Sequence, residues 1–340
     1  MKKSIFHTLS PLANCFTASF YQNLSGKKLI FPFYHSVVFD TFLHINTLYV
    51  TRTPKEFKAD MEFLLKHFNT IQPQKAFQFH KEKKQPQKPS FLLSFDDGLS
   101  GFYYHEAPLL LEKGIPAVVF LNTAFIDNKD LFYRYKASLL INHLIENPEP
   151  IKIISVFFSD NGIVKANVFE AILSVNYQKS NLLDKAAKIC CFSFTDFLNT
   201  YKPYLTTEQI TELSEKGFLL GAHSINHPKY SEINFDEQIK QTRVSVETVK
   251  NKFNQPLSLF AFPFTDDCVS SKLFTRFFDE KNPIVDFSFG SAGIKNEEFN
   301  RHIQRIPMEG ISASGNKIIK TEYLYYLLKS IVQKNTIYRS

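Results

Sequence analysis

Two short segments of the 340-residue chain carry side chains suited to hydrolytic chemistry. In Ser94-Phe95-Asp96-Asp97-Gly98, two adjacent carboxylates close an apolar run and are followed by glycine. Neighbouring strand residues point to opposite faces, but at a strand end the turn lets both approach one cleft. Such a pair divides the work: one carboxylate ligates a cation while the other, left unligated, accepts a proton from water. The segment reads equally as a polar turn. In His223-Ser224-Ile225-Asn226-His227, two imidazoles stand four residues apart, directly after the apolar run Phe218 to Ala222. That spacing alone is a weak signal, and its place at a strand end strengthens it. Two imidazoles on one side of a turn, with Asp97 as third ligand, leave a coordination position open for water or substrate. Zinc is the default for this donor set, and cobalt, nickel or iron accept the same ligands.

The elements that must position these groups are legible as a repeating pattern. Apolar, β-branched and aromatic runs predict strands over Leu29 to Tyr34, Phe91 to Phe95, Pro116 to Leu121, Phe218 to Ala222, Leu257 to Phe262, Val285 to Phe289 and Ile303 to Ile306. Helical periodicity lies between them. Pro54 to Phe68 places Phe57, Met61, Phe63, Leu64 and Leu65 on one face behind a Thr53 cap, and Ala107 to Lys113 runs into a Gly114 stop. Strand-helix alternation implies parallel strands and an α/β class. The regularity fails between about Asp127 and Leu205. The segment 128–205 reads as a mostly helical insertion, with helices over Lys136 to Ile145 and Asn167 to Val175 and an ambiguous Ile151 to Phe158 that suits a strand. It is either a packing appendage or a lid shaping a substrate groove. Thr206 to Lys216 is a further helix, with Thr207 as its cap. Lys81 to Lys88 reads as a solvated linker, and Ile318 to Val332 as an amphipathic helix packed on the body.

With 44% hydrophobic residues, 21% charged residues, and 36 Phe against 11 Gly, the chain is an ordinary folded globular protein with a large aromatic core. The formal charge of +7 is scattered along the chain, and no zinc finger, Arg cluster or RNA-binding signature accompanies it, so a nucleic-acid partner is not expected. Cys15, Cys190, Cys191 and Cys268 form no CxxC pair and read as buried thiols of a reducing compartment. Met1 to Lys3 is basic, but the following stretch is broken by His7, Ser10, Pro11 and Asn14, which makes a poor secretory segment. Leu12-Ala13-Asn14-Cys15 only loosely echoes a lipoprotein cleavage box. No run approaches a membrane span, and a cytoplasmic location is the expectation.

The chain resembles the polysaccharide deacetylases of carbohydrate esterase family 4, which share the NodB homology domain. The resemblance rests on Phe95-Asp96-Asp97-Gly98 and His223-Ser224-Ile225-Asn226-His227-Pro228, in family order. It extends to Phe33-Tyr34-His35-Ser36-Val37, Gly114-Ile115-Pro116-Ala117, Phe260-Ala261-Phe262-Pro263-Phe264 and the tail Gln304-Arg305-Ile306-Pro307-Met308. It covers roughly Leu29 to Asp127 and Thr206 to Glu309. It implies a distorted (β/α) barrel forming one catalytic domain over 1–340, and metal-assisted removal of acetyl from an N-acetylated sugar. Carried over by position, Asp96 is the general base and Asp97, His223 and His227 are the metal ligands. Ser224 braces the histidine loop, and the backbone N–H of Phe264 helps hold the oxyanion.

Two departures stand out. Ala261 occupies the place where many members carry an Arg that pairs with the base, and Met308 the place of a final-strand His acting as general acid. His35, at the end of the first strand, is then either the proton donor or a hydrogen-bonded structural histidine. Asp266 and Asp267 read as turn residues, and Phe262 and Phe264 either stack a sugar ring or pack in the core. The expected reading is a hydrolase acting on an intracellular N-acetylated glycan precursor or sugar conjugate. Its rival is a catalytically silent carbohydrate-binding relative that keeps the metal site. A metal-independent glycosidase is disfavoured, because its two carboxylates must flank a bond from opposite sides.

Overall fold

The computed structural model describes residues 3–37 and 42–340, so Met1 and Lys2 of the basic start lie outside the described residues. Each predicted apolar run supplies one or two short strands. Eight of them form a parallel sheet: β1 (Pro32–Tyr34), β2 (Leu93–Phe95), β3 (Ala117–Leu121), β4 (Leu219–Ala222), β5 (Leu259–Ala261), β6 (Phe287–Gly290), β7 (His302–Gln304) and β8 (Ile306–Pro307). Their spatial order is β7-β6-β5-β4-β3-β2-β1-β8. Only Arg305 separates β7 from β8. One stretch of chain therefore pairs with β6 on one side, His302 opposite Ser288, and with β1 on the other, Ile306 opposite Pro32. This draws the sheet into a nearly closed barrel, the distorted (β/α) architecture expected.

Alternate strand residues sort to two sides. Val118, Phe120, Leu219, Leu259, Phe289 and Ile303 form a compact cluster inside the barrel. Val119, Leu121, Leu220, Ala222 and Phe260 belong to a larger cluster shared with helix residues such as Met61, Leu64, Val246, Leu273 and Ile319. Gly221 is required by the interior packing: a Cβ there would lie 2.5 Å from the Phe120 ring.

The helix Pro54–His67 begins as predicted, with a capping box between Thr53 and Glu56. Its buried stripe is Phe57, Met61 and Leu64, whereas Leu65, expected on the same face, points to solvent. The cap of Thr207–Glu215 is Thr206 and not Thr207. Gln209 completes that box, while Thr207 donates its N–H and hydroxyl to Asp127.

Between Asp127 and Leu205 lie the helices Tyr133–Glu146, Ile151–Asp160, Val168–Leu173, Asn181–Ile189 and Phe194–Tyr201. They share a core of their own that includes Leu140, Leu144, Ile154, Phe158, Ile172 and Leu183. The strand expected over Ile151 to Phe158 is thus a helix. Its β-branched composition suggested a strand, but burial falls on Ile154 and Phe158, four apart, while Ile153 and Val156 face solvent.

Lys81 to Lys88 is exposed apart from Pro86. The last helix, Gly315–Ile331, buries Ile318, Ile319, Tyr323 and Tyr326, but Leu328, Ile331 and the following Val332 are exposed, so the apolar face predicted to Val332 is covered only as far as Leu327. All four cysteines are free, and only Cys190 is buried, contrary to the expectation of four buried thiols. Among the described residues no helix is long and apolar enough to cross a membrane.

Candidate active site

Parallel strands deliver their following loops to one end of a barrel, and the candidate residues meet there. His35 follows β1, Asp96 and Asp97 follow β2, His223 follows β4, and Phe262 to Phe264 follow β5. His35, Asp96, Asp97, His223, His227 and Phe264 all line one cavity of about 490 Å³. The loops are held in strained shapes. Asp97, Ser224, His227 and Phe264 all adopt left-handed backbone angles, with φ of 73°, 71°, 62° and 59°. For residues with a Cβ such angles cost about 1–3 kcal/mol each and persist only where surrounding structure enforces them.

Asp97 is the hub. Its Oδ1 lies 3.2 Å from Nε2 of His227 and 3.5 Å from Nε2 of His223. The Tyr135 hydroxyl donates to its Oδ2 at 2.7 Å. His223 Nδ1 is 2.8 Å from the Ala261 carbonyl, which can only accept, so Nδ1 carries the proton and Nε2 keeps its lone pair. Burial holds the His223 imidazole down, to a pKa of about 4, and therefore neutral, as a ligand must be. The backbone N–H of His227 donates to Ser224 Oγ at 2.9 Å, the bracing expected of that serine. Burial alone would raise the Asp97 carboxyl, but His227, His35 and His223 hold it well below the usual range.

These residues fit a cation. Ligand atoms of Asp97, His223 and His227 lie within 4.8 Å of one another, and all three residues are buried. Asp97 Oδ1 is buried and accepts no hydrogen bond. An anionic oxygen left so, facing a lone pair on an imidazole held neutral, is costly without a positive charge between them.

Asp96 has a different environment. Arg305 grips it with both arms, Nη1 to Oδ1 at 2.7 Å and Nη2 to Oδ2 at 2.8 Å. The guanidinium is itself fixed by Ser94 Oγ and the Gly290 carbonyl and lies over the Phe33 ring. Against the cost of burial, Arg305 and then His223 lower the Asp96 carboxyl below its ordinary range, so it is ionised at neutral pH. Sequence alone left Asp96 without a partner because Ala261 stands where a pairing arginine was expected. Arg305 pairs with it from the seam between β7 and β8, and the arginine in Gln304-Arg305-Ile306-Pro307 was the signal for it.

His35 forms an ion pair with Glu309, Nδ1 to Oε2 at 2.8 Å, and the same oxygen accepts from the His35 backbone N–H. Burial opposes the imidazolium, yet Glu309, followed by Asp97 and Asp96, raises its pKa to about 9. Glu309 is the neighbour of Met308, so the segment that lacks the expected histidine supplies a carboxylate to another one. Tyr135, likewise unmarked in the sequence, comes from the segment 128–205 together with Phe132, whose ring centroid is 4.2 Å from that of His227.

The Phe264 N–H donates to no group among the described residues, and its ring is 42% exposed in the cavity wall. Phe262 also borders the cavity but is only 2% exposed, packed against Tyr230, Phe260 and Phe274. Asp267 is an exposed turn residue, as predicted. Asp266 is not: it is buried and bonds His302, Gln304 and Arg339. Asp266, Glu297 and His302 could by spacing hold a second cation, but the Arg339 guanidinium already bridges the two carboxylates.

The family model for polysaccharide deacetylase matches residues 83–273, more than half of the chain. The Bacillus subtilis protein YxkH, whose description places it among polysaccharide deacetylases, is 29% identical over 114 residues, 33% of this chain and 38% of its own length. The match thus spans well under half of that relative. Among solved structures, the Streptococcus pyogenes deacetylase PplD superimposes with a TM-score of 0.54 at 13% identity, covering 87% of this chain and 98% of that one. IcaB from Ammonifex degensii gives 0.52 at 14% identity, covering 88% and 97%. At such identities the likeness is one of fold. Arg305, His35 and Glu309 all lie outside the stretch matched by the family model.

Proposed function

Because this chain belongs to the polysaccharide deacetylase family, we propose that it is a metal-dependent hydrolase that removes the acetyl group from an N-acetylated carbohydrate. The observation that carries the proposal is the pairing of two unlike carboxylates in one cavity. Asp97 faces two imidazoles, whereas Asp96 is kept ionised chiefly by Arg305 and makes no ion pair with either of them. That is the division of labour hydrolysis of an amide requires.

Asp97, His223 and His227 would hold the metal, and zinc suits their donor set best. A divalent ion there supplies Lewis-acid polarisation and lowers the pKa of water. Asp96 accepts a proton from the attacking water as its oxygen bonds to the amide carbon. The Phe264 N–H donates to the oxygen that becomes negative. The His35 imidazolium gives its proton to the amide nitrogen, the C–N bond breaks, and acetate and a free amine leave. Glu309 keeps that proton on His35 until it is needed and fixes the ring through Nδ1, which leaves Nε2 as the donor.

Ala261 and Met308 would favour a catalytically silent relative, but each absence is offset nearby, by Arg305 for the base and by the His35–Glu309 pair for the acid. The solved relative PplD is a deacetylase complexed with acetate, the product expected here. The test is metal content of the purified protein together with acetate release from N-acetylated glycans, with and without chelator. Metal near one per chain and chelator-sensitive release are the expected results. Bound metal without release from any glycan would return the silent relative to favour, and no bound metal would remove the basis of the reading.

A further inference from the structure

The charged side chains lining the catalytic cavity can be paired off, with one exception. Asp96 is matched by Arg305, and His35 by Glu309. Asp97 is matched by the two imidazoles and the cation they fit. The remaining charged group in the wall is Arg134. Among the described residues no carboxylate lies within ion-pair distance of it, and it lies over no aromatic ring. Its one hydrogen bond, from Nη1 to the carbonyl of Leu173, anchors the guanidinium without neutralising it.

Helix stability does not explain this arginine. Arg134 is in the first turn of Tyr133–Glu146, a helix with no acidic residue there, and the positive end of the helix dipole disfavours a cation. Nor is it a freely solvated surface charge, because burial lowers its pKa. Its neighbours Phe132 and Tyr133 approach Phe264 with ring centroids 5.9 and 6.4 Å away, so the cation sits beside an aromatic cluster whose exposed member, Phe264, can meet a sugar ring. A planar guanidinium with one arm tied keeps donors free to grip an oxyanion.

We propose that Arg134 is a specificity-determining residue, and that the carbohydrate it selects carries an anionic substituent, a carboxylate or a phosphate, close to the N-acetyl group. This rests on the deacetylase reading above and adds to it the charge of the substrate. The segment 128–205 then contributes substrate recognition through Arg134 as well as support for the metal ligand through Tyr135.

The test compares three oligosaccharides of N-acetylglucosamine: unmodified, carrying an O-carboxyalkyl group, and carrying a phosphate monoester. A charge-assisted contact of this kind predicts a kcat/KM about ten- to a hundredfold higher for an anionic substrate. Whichever of the two is preferred identifies the source of the charge. In Arg134→Met the ratio of anionic to neutral kcat/KM collapses toward one, and Arg134→Lys restores part of it. A purely structural arginine would lower both rates together and leave the ratio unchanged.

Binding is read separately, by calorimetric titration of the protein as purified with the 2-hydroxy analogues of the three sugars, which have no amide to cleave. If no sugar releases acetate but the anionic analogues bind tighter and Arg134→Met abolishes the difference, the deacetylase reading fails and the anion preference stands. Equal affinity for charged and neutral analogues, or an unchanged ratio in Arg134→Met, overturns the preference even where acetate is released.

Discussion

Replacing Glu309 with Gln is the sharpest probe of the relocated acid. Gln is nearly isosteric and keeps an oxygen that can accept from His35 Nδ1, so the change removes charge with little change of shape. Burial alone lowers the imidazole pKa, and Glu309, ahead of Asp97 and Asp96, is the largest of the influences that raise it from the ordinary 6.5 to about 9. The protonated form is the proton donor, so its activity is present below that pKa and is lost as pH rises through it. At pH 7.5 about 97% of the native His35 is protonated, against roughly 9% if the pKa returns to its ordinary 6.5. The variant should therefore lose up to about tenfold in kcat at pH 7.5 while differing by less than about twofold at pH 6. The alkaline limb of the rate profile moves down, by as much as about 2.5 pH units. The assay is acetate release from a competent glycan between pH 5.5 and 10, with metal content measured alongside. An alkaline limb that stays near pH 9 in Glu309→Gln, or a uniform loss at every pH, refutes His35 as the donor.

Three further outcomes follow from the geometry. Arg305→Met leaves the buried Asp96 carboxylate without its cation, so its pKa rises, the acid limb of the profile moves to higher pH, and stability to denaturant falls by about 3–5 kcal/mol; an unmoved acid limb would show that Arg305 does not tune the base. Tyr135→Phe removes the donor to Asp97 Oδ2, and metal titration should register an affinity about 10–100-fold weaker. Asp96→Asn should abolish turnover while metal analysis finds the ion retained, whereas His227→Ala should lose both; activity in Asp96→Asn would reassign the base.

The strands and the histidine and aspartate loops were legible because each is a local pattern: an apolar run, then polar residues at its end. The partners were not. Arg305 lies 209 residues from Asp96 along the chain and 15 from Gly290, and only closure of the barrel brings it to the base. Glu309 meets His35 across 274 residues for the same reason. Tyr135 lies just before the helix predicted over Lys136 to Ile145, and no local pattern ties it to Asp97 across 38 residues. Asp266 was misread because two aspartates after a proline look like a turn, whereas Arg339 from the chain's last residues draws one of them inside. Composition misled in one other place, at Ile151 to Phe158, where β-branched residues sit on a helical period.

The seam at Arg305 has a bearing on when this protein becomes competent. During synthesis the chain emerges from its N-terminus, so Asp97, His223 and His227 are all available well before residue 305 exists. A nascent chain that has reached His227 therefore carries the candidate ion ligands while Asp96 still lacks its guanidinium. The pairing of β8 with β1, which joins distant parts of the polypeptide, also brings Arg305 to Asp96. Loss of that docking, by fraying or by truncation near the C-terminus, should leave a species that still takes up metal yet does not hydrolyse. Hydrogen exchange at the amide of Met308, which is bonded to the Phe33 carbonyl, reports the opening of that seam directly.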